Sequence, residues 1–524
     1  MITKHKKSLV RNTLFRHLDG ASIATTLIAL KKNGIIDFIQ NAKSFNTSIL
    51  KDNFTFNIGY LNIALRLLSS QGLLIQDIIS DGKNINYIVT DKGQYIFNNI
   101  EKYTFALEWY NILSNIDLKK SNMDKITFID KILSMSKNNW GFGINSKIDS
   151  KEYYIVKQLN GIIITPLLSN LGFNNIIQTL TKIDLNKKEN IFISKLISLL
   201  SIECWISRNN DLNEEGEYIA NIVAAYGVTA SYINTFLKVE DLIFKDSEIL
   251  QLNTNLKQEI HVDRAMNVWG SGGAHKTYFK FIDSIIIDIF NRPIEKQPIG
   301  IADMGCGNGE FIIHINNVIK DTIRGQNLEK FPIVFIGADY NQDALNSTKR
   351  NLDLNNISHC LIKADISKPS LYAKELKAKY NFELDDFLNI RSFLDHNRIF
   401  EEPKQISKPI STSTCTFSSK GKWIPNHILE DNLIEHFKKW QPYIKKFGLI
   451  TLELHSIDPK LAKDNLGKTL TTAYDATHGY SDQYIIEMDR YNYCIKKAGL
   501  LIDKKHKYKF PDNELATISI NYLK

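Results

Sequence analysis

Cysteine is scarce: five in 524 residues (Cys204, Cys306, Cys360, Cys415 and Cys494), far apart and with no C-x-x-C pair. That excludes a disulfide framework and a cysteine-rich zinc module, and it fits a reducing, cytoplasmic setting. Proline is scarce too, and eleven residues exclude a long polyproline or low-complexity chain. No apolar run approaches the roughly 18 residues of a membrane-spanning helix, and the richest, such as GIIITPLL, are short. The basic start, MITKHKKSLVRN, leads into no apolar stretch of the signal-peptide kind. No charge dominates: 65 Lys+Arg against 57 Asp+Glu give +8, a faint bias that is no nucleic-acid footprint. What remains is an ordinary globular composition, 43% hydrophobic and 23% charged, at a length that calls for more than one domain.

The N-terminal half alternates amphipathic helices with short strands. LDGASIATTLIALKKNGIIDF (18–38) has helical spacing broken by Gly34, and NIGYLNIALRLLSSQGLLI gives a second helix ending at Gly72. A polar turn with Asp81-Gly82, the strand-like NYIVT and a helix opening at TDKG (90–93) follow. Helix, helix, strand, turn, strand is a winged-helix order. Leu159-Asn160-Gly161 echoes Leu18-Asp19-Gly20 at an offset of 141, and GEYI (216–219) echoes GQYI (93–96) at an offset of 123. These matches point to duplication; the alternative is two unrelated helical segments with similar turns. The helix that would enter a DNA groove, GYLNIALRLLSSQ, carries one cation, Arg66, among leucines and isoleucines. Groove readers need polar side chains on an exposed face, so packing or dimerisation is the expected role.

After about residue 265 strands alternate with helices, the pattern of a doubly wound sheet. Its anchor is PIGIADMGCGNGEFIIHI (298–315), an apolar strand ending in Asp303, then Gly305, Gly307 and Gly309 turning into an apolar helix. A G-x-G-x-G alone is weak, but the D-x-G-x-G-x-G spacing is not that of dinucleotide folds. Further strands end in Asp339 (IVFIGAD), Asp365 (HCLIKAD) and near Asn389 (DDFLNIRS). Open α/β sheets bind ligands at such carboxyl ends. Asp339 is placed for ribose hydroxyls and Asp365 for an adenine amino group, so S-adenosylmethionine is the expected cofactor. The insertion 319–332 is read as a surface elaboration.

MNVWGSGGAHKTYF (266–279), IADMGCGNGEF (301–311), RSFLDHNRIFEEP (391–403), FGLITLELHSIDP (447–459) and TLTTAYDATHGYSDQY (469–484) resemble the methyltransferases of polyketide assembly lines, in particular the apratoxin-type ones, some of which bind a mononuclear iron or manganese. The resemblance implies an α/β class I methyltransferase sheet with a Rossmann-like fold, preceded by a mainly helical, winged-helix-like and duplicated region. The expected division is 1–114 (winged helix), 115–150 (connector), 151–264 (second winged-helix-like lid domain) and 265–524 (methyltransferase). It implies methyl transfer to carbon of a malonyl or β-ketoacyl thioester, with an acyl carrier protein or a small acyl molecule as partner. With no carrier or ketosynthase motif in the chain, such a substrate would be supplied in trans. Neither nucleic acid nor membrane is expected as a partner, and a homodimer is one expected arrangement.

Carbon methylation needs an enolate, stabilised by a divalent metal or formed by a base. The resemblance places Fe or Mn on His455 and Gln483, with His478 as alternative ligand or base; the plain alternative is a strand-end and a turn-capping histidine. Asp395 and His396 follow the fourth strand. Adjacent side chains on a helix diverge by roughly 100°, so both cannot face one substrate atom equally. Tyr474 and Tyr480 are read as acyl-carbonyl donors or packed aromatics. Gly270 and Ser271, in WGSGGAHK, are expected in a cofactor lid with His275 or Lys276 nearby, or in a plain linker. The Ser/Thr/Lys-rich segment 404–425 is read as a mobile lid or a solvated loop. A small-molecule O-methyltransferase and a non-catalytic scaffold or DNA-binding regulator are the competing readings.

Overall fold

The computed structural model describes residues 2–79, 84–118, 123–143, 150–207, 211–250, 259–408 and 411–524, with backbone only at 79, 123 and 273–277. The chain forms two compact units: Met1–Ala274 with Thr416–Ile424 and Asp458–Asp482, and His275–Cys415 with Pro425–Ile457 and Gln483–Lys524. The expected linear boundary near 265 is thus only part of the division, because two segments of the C-terminal half belong to the first unit. No helix among the described residues is long and apolar enough to cross a membrane.

The first unit opens with α1 (Lys4–Lys32), whose second half is buried almost all round. Then come α2 (Ile35–Ala42), β1 (Ser44–Asn46), α3 (Thr47–Asn53), α4 (Ile58–Ser70), β2 (Leu74–Ile79) and β3 (Asn84–Val89), with sheet order β1-β3-β2. This is a full winged-helix order. The three-residue β1 is too short to leave a periodic signal in the sequence, and the expected Asp81-Gly82 turn lies outside the described residues. α4 is buried from Gly59 to Ser70. Its Arg66 Nε bonds Asp475 Oδ2 at 3.0 Å and Gln71 Nε2 donates to Thr472 Oγ1 at 2.7 Å. The helix Thr471–Gly479, within the most distinctive C-terminal motif, therefore covers the face with which a groove reader would meet bases.

The repeat seen in the sequence is a reciprocal contact in the fold. α1 packs on α5 (Lys151–Phe173) through the two echoed glycines. A Cβ on Gly20 would stand 2.3 Å from Gln158 O, and one on Gly161 would stand 2.4 Å from His17 O. His17 and Gln158 are themselves related by the offset of 141. His17 Nδ1 meets Tyr226 Oη (3.1 Å), while Tyr103 Oη donates to Gln158 Oε1 (2.6 Å), the two tyrosines being 123 apart. Gly93 abuts Leu73 O, as Gly216 abuts Trp205 O. Leu73 N bonds Leu68 O as Trp205 N bonds Leu200 O. The two segments meet through matching positions, each supplying the other with the same kinds of contact. In the second copy, among its described residues, the strand pairing is an isolated antiparallel bridge, Ile206 to Leu212.

The second unit is built on β4 (Gly300–Met304), β5 (Val334–Asp339), β6 (His359–Lys363) and β7 (Phe387–Ser392); β8 (Phe417–Ser419) and β9 (Lys422–Ile424) form a hairpin assigned to the first unit, and β10 (Leu449–Leu454), β11 (Ile502–Phe510) and β12 (Ile518–Leu523) complete the sheet. The order is β11-β12-β10-β7-β4-β5-β6, with β4, β5, β6, β7 and β10 parallel and β12 antiparallel to both neighbours. The sheet is therefore mixed, where the helix–strand alternation predicts a parallel one. β11 closes one edge with Lys504, Lys505, Lys507 and Lys509, a composition that discourages further strand pairing. The insertion 319–332 is pinned by Arg324, whose buried guanidinium donates to Phe331 O (2.8 Å) and Pro332 O (3.1 Å).

Candidate active site

β4 delivers Asp303 to its carboxyl end, and the chain turns at Gly305, Gly307 and Gly309, all with φ between +55° and +83°, into the helix Glu310–Lys320. Only glycine holds such a run without strain. The turn is fixed from several sides. Gly305 N donates to Ala338 O (2.7 Å), Thr348 Oγ1 to Gly307 O (2.8 Å), and Gly307 N to Asp339 Oδ2 (3.1 Å). A Cβ on Gly307 would meet nothing within 4 Å, so there is open space above the turn. Asp303 is buried, and no donor reaches its carboxylate among the described residues. Burial pushes its pKa up to about 7, with the Asp339 charge adding. A desolvated carboxyl beside an open glycine cradle fits a cationic ligand with a nucleoside arm. At the ends of β5 and β6, Asp339 Oδ1 accepts from Asn341 N (2.8 Å) and Asp365 Oδ1 from Ser367 N (2.8 Å), which orients both carboxylates.

Asn389 sits in the first half of β7, not at its end, and its buried Nδ2 donates to Leu384 O, Phe387 O and Tyr443 O. It ties the strand to its flanks. Gly270 and Ser271 are helical, within α6 (Arg264–Phe290), and belong to the first unit. A Cβ on Gly270 would stand 2.6 Å from Val228 N and 2.7 Å from Gly227 C, so that glycine serves close packing. Ser271 Oγ donates to Val268 O (3.3 Å). The side chains of His275 and Lys276 lie outside the described residues.

After β7 the chain makes a short turn, Asp395–Asn397, over the edge of the sheet. Leu394, just before it, packs on Gly305 of the glycine turn. The two adjacent residues diverge as helical geometry requires. His396 Nδ1 meets Glu453 Oε1, on β10, at 2.5 Å. Glu453 Oε2 accepts from Asp395 N (2.7 Å) and His396 N (3.3 Å), and Oε1 also accepts from Leu454 N (2.7 Å). Asp395 instead turns into the core. Glu453, which the sequence does not single out, is the residue that ties this turn to β10.

His455 is fully buried; its Nδ1 meets Ile486 O (3.1 Å) and its Nε2 meets Ser519 Oγ (2.7 Å). Burial pushes its pKa down to about 4. Both ring nitrogens are engaged by the protein, so His455 is not set up as a metal ligand. Gln483 is buried in the segment before the helix Met488–Lys497, where Tyr484 N donates to His396 O (2.7 Å). His478 belongs to the first unit, its Nδ1 on Tyr474 O (2.8 Å). Among the described residues no group of three or more His, Cys, Asp or Glu could hold a metal. The residues assigned to Fe or Mn do not fit it.

Tyr480 is a packed aromatic, fully buried with Oη on Thr26 Oγ1 (2.9 Å) in the first unit. The segment expected as a mobile lid is latched: Ser407 N donates to Asp431 Oδ2 (2.7 Å), Ser411 Oγ to Glu430 Oε1 (2.6 Å), and Ser413 Oγ to Glu487 Oε2 (2.7 Å). Ser411, Ser413 and Thr414 thus use their hydroxyls as local donors to Glu430 and Glu487.

A glycine turn and strand-end carboxylates at the carboxyl edge of an open sheet form the arrangement in which α/β folds bind ligands. Residues 259–521 match the family model described as the AprA MT2-like domain, 10–76 the AprA N-terminal domain, and 160–246 the AprA winged helix domain. The chain belongs to the AprA MT2-like family and is an S-adenosylmethionine-dependent methyltransferase. No curated protein matches. Solved structures similar to it include an O-methyltransferase family protein from Burkholderia thailandensis (10% identity, 72% of this chain and 98% of that one, TM-score 0.36). The citrinin polyketide synthase CMeT domain (10%, 80% and 97%, 0.32) and the DszA carbon methyltransferase (10%, 77% and 94%, 0.29) are others. At these scores the likenesses carry no argument about the acceptor.

Proposed function

We propose that the enzyme methylates a carbon of an acyl substrate, a malonyl or β-ketoacyl thioester presented by an acyl carrier protein, and that His396 is the base that forms the enolate. The single observation behind this reading is the buried His396–Glu453 pair one packed side chain, Leu394, away from the glycine turn. Glu453 accepts the Nδ1 proton, which sets the tautomer in which Nε2 is the basic atom. As Nε2 takes the α-proton, the Glu453 carboxylate balances the imidazolium charge. S-adenosylmethionine supplies an electrophilic methyl on a positively charged sulfur. Asp303, Asp339, Asp365 and the turn at Gly305, Gly307 and Gly309 would hold it.

The test is transfer of a carbon-13 methyl to a malonyl or β-ketoacyl thioester, with the position of the label read by NMR. A label on the α-carbon supports the reading; a label on oxygen, or transfer only to unrelated hydroxyl compounds, overturns it in favour of O-methylation.

Asp303 gives the site a pH dependence with a definite sign. Its folded pKa is raised from 3.8 to about 7, so the cofactor-free fold loses stability as pH rises from about 4 through 7. A bound cation favours the ionised carboxylate, so binding below pH 7 should release a proton. Calorimetry in buffers of different ionisation enthalpy should report that release near pH 6, with affinity for S-adenosylmethionine rising toward pH 8. The Asp303→Asn variant should bind weakly and lose the pH dependence. An affinity flat in pH for the wild type would contradict this placement.

A further inference from the structure

Beneath the proposed base lies a second polar cluster that takes no part in the chemistry above. Asp395, the neighbour of His396, is 2% exposed, and two hydrogen-bond donors and one guanidinium converge on it from three elements. Tyr491 Oη, from the helix Met488–Lys497, donates to Oδ2 at 2.5 Å. His436 Nε2, from the helix Asn426–Ile444, lies 3.0 Å from Oδ1, and Arg391 Nη2, from the end of β7, lies 2.8 Å from the same oxygen. Arg391 is held by the faces of Phe437 and Trp440, at 5.4 and 5.1 Å. The main chain of the same turn is tied from above: Arg398 Nη1 donates to Asp395 O (2.7 Å), and the amides of 395 and 396 reach Glu453 Oε2.

So large a buried charge assembly is poorly explained as a source of stability. Desolvating a carboxylate and a guanidinium costs about as much as their attraction returns, and such groups are kept where they fix a geometry. The geometry fixed here is the turn Asp395–Asn397. If it moves, the two amides leave Glu453 Oε2, the carboxylate rotates, and the Nδ1 contact that sets the tautomer of His396 is lost. Burial alone would raise the Asp395 pKa, but Arg391, His436 and Tyr491 hold it well below the usual carboxylate range. Burial also pushes His436 down to about 4, so at neutral pH it is an uncharged donor.

We infer that Asp395 is a positioning residue: clamped by Arg391, His436 and Tyr491, it sets the turn that aims His396 at the substrate carbon and registers it on Glu453. This rests on the reading of His396 as the base.

The test compares Asp395→Asn and Tyr491→Phe with wild type and His396→Ala, measuring kcat, KM for both substrates, the pH profile of kcat, and cofactor binding by calorimetry. Asp395→Asn removes the charge that pairs with Arg391 and puts an amide among the groups that donate to the carboxylate; it should cut kcat about 10- to 100-fold, the cost of misplacing a catalytic group by around 1 Å. Its affinity for S-adenosylmethionine should stay within about twofold. Tyr491→Phe removes one donor and strands no charge, so it should fold even if Asp395→Asn does not. It should lower kcat several-fold and shift the acid limb of the pH profile. Folded Tyr491→Phe with wild-type kcat and profile overturns the inference, as does any variant with only a lowered melting temperature. If His396→Ala itself keeps wild-type activity, it is the reading of the base that fails, and the two failures are distinguishable.

Discussion

His396→Ala should lower kcat by about 10²- to 10⁴-fold, the usual contribution of a positioned general base, while leaving the affinity for S-adenosylmethionine unchanged. The separation follows from the geometry. The proposed cofactor cradle lies at β4, β5 and β6 and the turn at Gly305, Gly307 and Gly309, whereas His396 hangs from the turn after β7 and touches Glu453 on β10. Glu453→Gln should fall between wild type and His396→Ala, because an amide can still accept from Nδ1 but leaves the imidazolium without a counter-charge. Steady-state kinetics with calorimetric cofactor binding checks both. A His396→Ala enzyme within about threefold of wild type would remove the dyad from the mechanism.

Gly20→Ala and Gly161→Ala should each destabilise the protein by on the order of 3–5 kcal/mol. Alanine in a helix interior ordinarily gains about 1 kcal/mol over glycine, so the sign itself is diagnostic. Each new Cβ would lie 2.3–2.4 Å from backbone of the opposing helix. Backbone cannot rotate aside, and the helices must part. Because one contact area carries both glycines, the double variant should cost less than the two single costs together. Denaturant unfolding measures all three. Unchanged stability in either single variant would contradict the close packing of α1 on α5.

The parts of the fold legible in the sequence are those that local chemistry specifies. The run from Asp303 to Gly309 needs positive φ at successive glycines, and strand ends at Asp339 and Asp365 show in apolar runs that stop at a carboxylate. The duplication was readable because the same glycines serve the same close approach in both copies. Glu453 was not readable: in TLELH it looks like an alternating strand residue, and its partner is 57 positions away. His455, two residues on, has the more conspicuous side chain but is spent on Ile486 and Ser519. Gly270 misled for a related reason, since glycine-rich sequence is ambiguous between a ligand loop and a helix that must approach another closely. The latched segment 404–425 reads as a loop by composition, and only the placement of Glu430, Asp431 and Glu487 shows what its hydroxyls and amides are for.

The central claim, that His396 removes a proton from the carbon to be methylated, is tested most directly without methyl transfer. With S-adenosylhomocysteine in place of the donor, a β-ketoacyl thioester in deuterated water should exchange its α-proton faster with wild-type enzyme than without. The account predicts that His396→Ala returns this exchange to the background rate and that Glu453→Gln slows it. Exchange at the wild-type rate in His396→Ala, or no exchange above background in an enzyme that still methylates, would contradict it.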